Sequence, residues 1–151
     1  MLLYTQHRTL NRDEIKTQLK NFYKEDKVTK DLSTLFVTNK QDPHITAKLV
    51  AEEDLIIAGL CIVDVIFEKH IIKKHKKDGE FCSNGQIICS ISAPASILLS
   101  YERILLNLIQ RMSGIASLTN LYVSALNSPN IKILDTRKTT PGLRLFEKHA
   151  V

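Results

Sequence analysis

The chain has 151 residues, 44% of them hydrophobic, which allows a buried core and one domain, or one domain plus part of another. Its net charge of +5 is uneven: residues 1–100 hold 14 Lys/Arg against 13 Asp/Glu, and residues 101–151 hold 7 against 3. The bases stand singly or in pairs and the aromatics are scattered, which argues against a nucleic-acid stripe and for a small anionic ligand. Cys61, Cys82 and Cys89 contain no Cys-x-x-Cys pair, so a disulfide framework or a zinc site is not expected, and a reducing compartment is. The first eight residues lack the apolar core of a signal peptide, and the longest apolar run, Leu55 to Val63, is half a membrane span. A cytoplasmic protein without membrane or nucleic-acid partners is expected.

In chain order, Asn11 followed by Glu14 reads as a helix cap, and Ile15, Leu19, Phe22 and Tyr23 then share one helical face. Lys24 to Lys30 reads as a polar loop. Ile45, Ala47, Leu49 and Ala51 alternate with Thr46, Lys48 and Val50, the pattern of a half-buried strand. Leu55 to Ala58 predicts a second strand closed by Gly59, and Leu60 to Lys69 a helix. Lys73 to Gly79 reads as a solvated turn. Phe81-Cys82, a turn at Asn84-Gly85 and Gln86 to Ile91 predict a hairpin. After Pro94 the period changes: Ile97, Leu98, Tyr101, Ile104, Leu105, Leu108 and Ile109 are spaced for a helix. Helical content extends through Met112 to Leu126, with Gly114 as a break or a close-packing point. Pro129-Asn130 is a turn, Ile131 to Leu134 a short strand, and Arg144 to Val151 the start of a helix. Strands and hairpins followed by helix–strand–helix argue for two domains.

The segment Asp135-Thr136-Arg137-Lys138-Thr139-Thr140-Pro141-Gly142-Leu143-Arg144 carries the chemistry. In βα proteins ligands gather at the carboxyl ends of strands, where this segment would sit. Arg137 offers a planar fork for a carboxylate or phosphate, and Lys138 a compact charge. Thr139 and Thr140 can donate to phosphate oxygens, and Pro141-Gly142 fixes a turn. By pattern alone, an ordinary solvated loop pair remains open for Arg137 and Lys138. Arg144 and Lys148, four apart, read equally as a solvated face, a partner contact or substrate ligands. Arg111 reads as structural, His70 and His75 as surface residues, and His149 as a packing residue.

Four blocks in order, Glu102-Arg103 with Leu106-Asn107, Ser113-Gly114-Ile115-Ala116, Asp135 through Arg144, and Glu147-Lys148-His149-Ala150-Val151, closely resemble quinolinate phosphoribosyltransferases. Glu25-Asp26 through Asp31-Leu32-Ser33-Thr34 resembles the family's early segment without its usual glycines. Ala58-Gly59, Asp78-Gly79 and Gly85 also fit. The resemblance implies an α+β protein: an N-terminal α/β sandwich domain with linking helix at 1–106, then the incomplete start of an α/β barrel at 107–151. It implies transfer of phosphoribosyl from phosphoribosyl pyrophosphate to quinolinate with decarboxylation. The products are nicotinate mononucleotide, pyrophosphate and carbon dioxide, in NAD synthesis. Mg2+ would accompany the pyrophosphate. The subunits would pair as a homodimer or higher oligomer, each N-terminal domain covering its partner's barrel mouth.

By the same resemblance Arg103 reaches the partner's quinolinate, Arg137 grips a quinolinate carboxylate and Lys138 contacts phosphoribosyl pyrophosphate as the catalytic cation. Thr136 and Thr139 support them. The physics agrees, since both substrates are polyanions and charge develops on the ribose as pyrophosphate leaves. The family's chain continues for roughly as long again, with further basic and acidic site residues. This chain therefore reads as an amino-terminal portion, a truncated or split form inactive alone, with a separate carboxyl-terminal half as the partner of the split form. The alternative is a non-catalytic remnant or interaction module that docks on an intact subunit. A related pyrophosphorylase with another acceptor is a third reading. Residues 107–151, lacking barrel neighbours, are expected to be poorly supported.

Overall fold

The computed structural model describes residues 9–28, 34 and 41–151. Thr29 and Lys30 of the expected polar loop, and Asp31 to Ser33 of the early segment, lie outside the described residues. The first helix, α1 (Arg12–Glu25), starts where the sequence predicts. Asn11 is extended, and its side chain accepts from the amides of Asp13 (2.8 Å) and Glu14 (3.4 Å). Ile15 and Leu19 are buried, and Phe22 and Tyr23 pack beside them.

Three antiparallel strands form the larger sheet, in the order β1 (His44–Val50), β5 (Ile87–Pro94), β3 (Ile71–Lys74). The central β5 buries Cys89, Ile91 and Ala93, which alternate with Ser90 and Ser92. Ala47 and Ile72 flank Ile91 in register. The edge strand β3 contains Lys73 and Lys74, so the first two residues of the expected solvated turn are strand. Lysines suit an edge, where they discourage further pairing. A second sheet pairs β2 (Leu55–Ile56) with β4 (Phe81–Cys82). The predicted hairpin is thus corrected. The Asn84-Gly85 turn forms, with the Gln86 amide donating to the Ser83 carbonyl at 3.0 Å, but β4 and β5 leave it for different sheets.

Helix α2 (Leu60–Ile66) is shorter than predicted and stops at Phe67, which is buried. Its N-terminus follows Gly59, which has no capping side chain and sits at φ 105°. Asp78 supplies the cap from afar, accepting from the Leu60 amide at 2.9 Å. The long helix α3 (Ala95–Leu126) is capped the same way. Pro94 cannot cap it, and Asp42 accepts from both the amide (2.8 Å) and the hydroxyl (2.6 Å) of Ser96. These bonds hold the Asp42 carboxyl below the ordinary range.

α3 runs unbroken through Gly114, against the expected break. Among the described residues nothing outside its own stretch of helix lies within 4 Å of where a Cβ would stand there, so close packing among them does not explain that glycine either. One turn on, Ser113 and Ser117 face the β2 segment. Ser113 Oγ accepts from the Ala58 amide (3.1 Å) and Ser117 Oγ from the Ile56 amide (2.8 Å). The helix thereby satisfies backbone donors that the short β2–β4 ladder leaves free. The core joins α1, α2, β5 and the first two-thirds of α3, down to Met112 and Ala116.

Past Ala116 the chain divides. Leu118, Leu121, Tyr122 and Val123 are exposed on the last turns of α3. Ile131 to Leu134 forms no strand: among the described residues its backbone has no ladder partner, and Ile131 and Leu134 are exposed. β-branched content favours an extended chain, but a strand exists only with a neighbour. The expected lack of support does not extend to α4 (Arg144–His149), which packs on α3 and buries Phe146 against Phe22, ring centroids 6.1 Å apart.

Candidate functional site

Thr140, Pro141, Gly142 and Leu143 form a β-turn in which the Leu143 amide donates to the Thr140 carbonyl at 3.0 Å. Pro141 presets the first corner, and Gly142 takes the second at φ 83°. The turn reverses the chain, so that α4 lies alongside the segment that precedes it. Four side chains of α3 and α4 then grip that segment. Lys148 pairs with Asp135. Arg144 donates to Thr139 Oγ1 (3.2 Å) and to the Arg137 carbonyl (3.4 Å). Glu147 accepts from the Thr140 amide (3.0 Å) through one oxygen and from Arg111 Nε and Nη2 (3.0 and 2.8 Å) through the other. Arg111 also donates to Thr140 Oγ1 at 3.0 Å.

Glu147 is buried. Burial alone would raise its carboxyl. The hydrogen bonds from Thr140 and Arg111 outweigh that and hold it below the ordinary glutamate value. The structural reading of Arg111 therefore stands. For Arg144 and Lys148 the structure gives a role that pattern alone left open: both brace the segment 135–140.

Against that bracing, Arg137 and Lys138 stand out. Both are exposed, and among the described residues neither side chain forms an ion pair or a hydrogen bond. Within one short segment the bracing cations are spent on the fold and these two are not. Thr136 Oγ1 accepts from the Lys138 amide at 3.1 Å, which turns the backbone beneath the lysine. Thr136 and Thr139 each accept internally and keep their own O–H to donate.

Arg103 lies elsewhere, on the outer face of α3, and pairs with Asp26 at 2.7 Å. A cleft of about 480 Å3 brings it near the end of the motif. Its lining includes Asp26, Arg103, Asn107, Pro141 and Leu143. Arg137, Lys138, Thr136 and Thr139 do not line that cleft, so the structure sets Arg103 apart from the other predicted site residues. Sequence reasoning missed the parts played by Glu147 and Asp26. The only sign of Glu147 was an acid between Arg144 and Lys148, and nothing local marked Asp26 as the partner of Arg103, 77 residues away.

Among the described residues no helix is long and apolar enough to cross a membrane. The chain matches the model of the quinolinate phosphoribosyl transferase N-terminal domain over residues 31–113 and that of the C-terminal domain over residues 115–151. The join falls inside α3. A Bacillus subtilis protein named probable nicotinate-nucleotide pyrophosphorylase [carboxylating] is 42% identical over 146 residues, 94% of this chain and 50% of the relative. A chloroplastic Arabidopsis thaliana nicotinate-nucleotide pyrophosphorylase [carboxylating] is 43% identical over 123 residues, 78% of this chain and 34% of the relative. Among solved structures, the nicotinate-nucleotide pyrophosphorylase of Francisella tularensis superimposes with a TM-score of 0.86 at 27% identity, over 97% of this chain and 53% of that one. That of Ehrlichia chaffeensis gives 0.80 at 32% identity, over 95% and 52%. The chain spans half or less of the length of these curated relatives, and its mixed helix-and-sheet fold is a partial α/β fold of their kind. On the matched sequence and the shared fold together, the chain belongs to the quinolinate phosphoribosyl transferase family.

Proposed function

We propose that this chain supplies the amino-terminal half of a carboxylating nicotinate-nucleotide pyrophosphorylase, the activity named for its relatives. In that reaction the quinolinate nitrogen bonds to the ribose C1 of phosphoribosyl pyrophosphate as the C1–O bond to pyrophosphate breaks. The ring carboxylate beside the nitrogen then leaves as carbon dioxide, and a proton takes its place. The observation that carries the reading is the contrast within the motif: Arg137 and Lys138 are unpaired while Arg144, Lys148 and Arg111 are used to brace them. Cations held out on a braced loop are what two polyanionic substrates require.

In this reading Arg137 holds a quinolinate carboxylate in its planar fork, and Lys138 holds phosphoribosyl pyrophosphate and stabilises the charge on the departing pyrophosphate. Thr136 and Thr139 donate their hydroxyls to phosphate oxygens. Arg103 serves the quinolinate of a partner subunit in a homodimer or larger assembly, a role supported by its lining a cleft that Arg137 and Lys138 of its own chain do not line. Residues 1–106 form the covering domain, and 107–151 begin the barrel. Further polypeptide supplies the rest of the barrel, and the reaction belongs to the cytoplasm.

Mg2+ enters with the pyrophosphate of the substrate. The one cluster of potential metal ligands among the described residues offers sulfur and nitrogen besides oxygen, which suits magnesium poorly, so no step is assigned to a magnesium held by these residues.

A second reading, a non-catalytic module that docks on an intact subunit, is favoured by one feature: the exposed apolar side chains Leu118, Leu121, Tyr122 and Val123. Co-expression with a carboxyl-terminal half, followed by assay of quinolinate-dependent carbon dioxide release, separates the two. The enzyme reading expects activity from the assembly. A folded assembly without activity would favour the module.

A further inference from the structure

Three elements far apart in sequence meet behind the motif. Cys61 lies in the first turn of α2, Asp78 in the turn before β4, and His149 at the end of α4. Their ligand atoms, one from each residue, all lie within 4.8 Å of one another. Asp78 uses Oδ1 to cap α2 and leaves Oδ2 facing His149 Nε2 at 4.0 Å, too long for a hydrogen bond. The His149 side chain is only 10% exposed, and its other nitrogen, Nδ1, is buried with no hydrogen-bond partner. Nε2, which faces Asp78, bonds nothing among the described residues either, so this nine-tenths buried ring presents a free ligand atom to the cluster, the one a metal ion there would meet.

We propose that Cys61, Asp78 and His149 form a binding site for a zinc-class divalent metal ion. The donor set is one thiolate, one carboxylate oxygen and one imidazole nitrogen, the mixture that tetrahedral zinc accepts, with water as fourth ligand. Bonds of about 2.0–2.3 Å place tetrahedral ligand atoms roughly 3.3–3.8 Å apart, so closure from within 4.8 Å asks for separations to shorten by at most about 1.5 Å. Binding releases the thiol proton to solvent. The ion would sit in the gap between Asp78 Oδ2 and the ring, and it would tie α4 to the start of α2. Since α4 braces the segment from Asp135 to Thr140, the metal would be a structural tie behind the motif and would take no part in the transfer reaction.

The test uses the full chain, reduced and stripped of metal, titrated with Co2+ alone. The expected result is a thiolate-to-cobalt charge-transfer band that saturates at about one ion per chain and is displaced by Zn2+. Cys61→Ser abolishes the band, while Cys82→Ser keeps it. His149→Gln weakens affinity by at least the ~10–100-fold that loss of a mere supporting partner costs. Zn2+ raises the Tm of the parent chain and leaves that of Cys61→Ser unchanged. Should Cys61→Ser not fold, His149→Gln and the parent titration decide the matter. No charge-transfer band in the parent chain, or a band that survives either ligand substitution at full affinity, overturns the site.

Discussion

Arg111 and Glu147, 36 residues apart, close on each other so that one carboxylate oxygen takes two guanidinium N–H groups, at 3.0 and 2.8 Å. The other oxygen takes the Thr140 amide. One buried carboxylate thus ties α3, α4 and the turn at Pro141 together. Replacing Arg111 with Met is expected to leave that carboxylate short of partners and to cost on the order of 1–3 kcal/mol. Amide hydrogen exchange is expected to quicken at Thr140 in the variant. Unchanged exchange there would mean that the tie does not hold the motif.

The cap that Asp42 gives to α3 is expected to make stability depend on acid. Its carboxyl is depressed in the folded state by the Ser96 hydroxyl first and the Ser96 amide second. A depressed folded value means that the unfolded chain takes up protons first. The contribution is therefore complete above the ordinary aspartate value of about 4, and it is lost as pH falls from there through the folded value. Asp42→Asn should unfold at lower denaturant than the parent at pH 7, and the gap should narrow as pH falls below the ordinary aspartate value and close once the folded carboxyl is protonated. A gap independent of pH would rule out the carboxylate as its source.

Gly59 is expected to tolerate no side chain. Its φ is 105°, and a Cβ would stand 2.9 Å from Met112 Sδ. Gly79 also has a positive φ, 86°, but among the described residues nothing lies within 4 Å of its Cβ position. Gly59→Ala should cost more than Gly79→Ala, for which backbone strain alone predicts about 1–3 kcal/mol. Equal losses in denaturant unfolding would show that the close approach to Met112 does not matter.

Ser113→Ala removes the acceptor for the buried Ala58 amide. A loss of about 1–3 kcal/mol is expected, with faster exchange at Ala58. Ser117→Ala, at a half-buried site, should cost less.

What the sequence disclosed follows the range of the forces involved. The Asn11 cap, the α1 face and the Thr140-to-Leu143 turn were legible because each is set by neighbours within four residues. The Asn84-Gly85 turn announced a reversal but not the partner strand, so β4 was assigned to β5 when it pairs with β2. Ile131 to Leu134 carried strand propensity, which without a neighbouring strand makes no ladder. The caps from Asp78 to Leu60 and from Asp42 to Ser96 span 18 and 54 residues and left no local mark. At the site, Arg137 and Lys138 were visible as a cationic cluster. That Arg144 and Lys148 brace the loop was not, since only the fold decides which of several adjacent cations remains unpaired.

The most direct test of the central claim is steady-state kinetics of Arg137→Ala and Lys138→Ala in an assembly completed by a carboxyl-terminal half, each substrate varied in turn. Loss of one charge-assisted contact, about 1.5–3 kcal/mol, corresponds to roughly 10–100-fold in kcat/KM. The account expects Arg137→Ala to lose at least that for quinolinate, and Lys138→Ala for phosphoribosyl pyrophosphate, with the folded assembly intact. Parent-like kcat/KM in both variants would contradict it, because the two unpaired cations would then touch neither substrate.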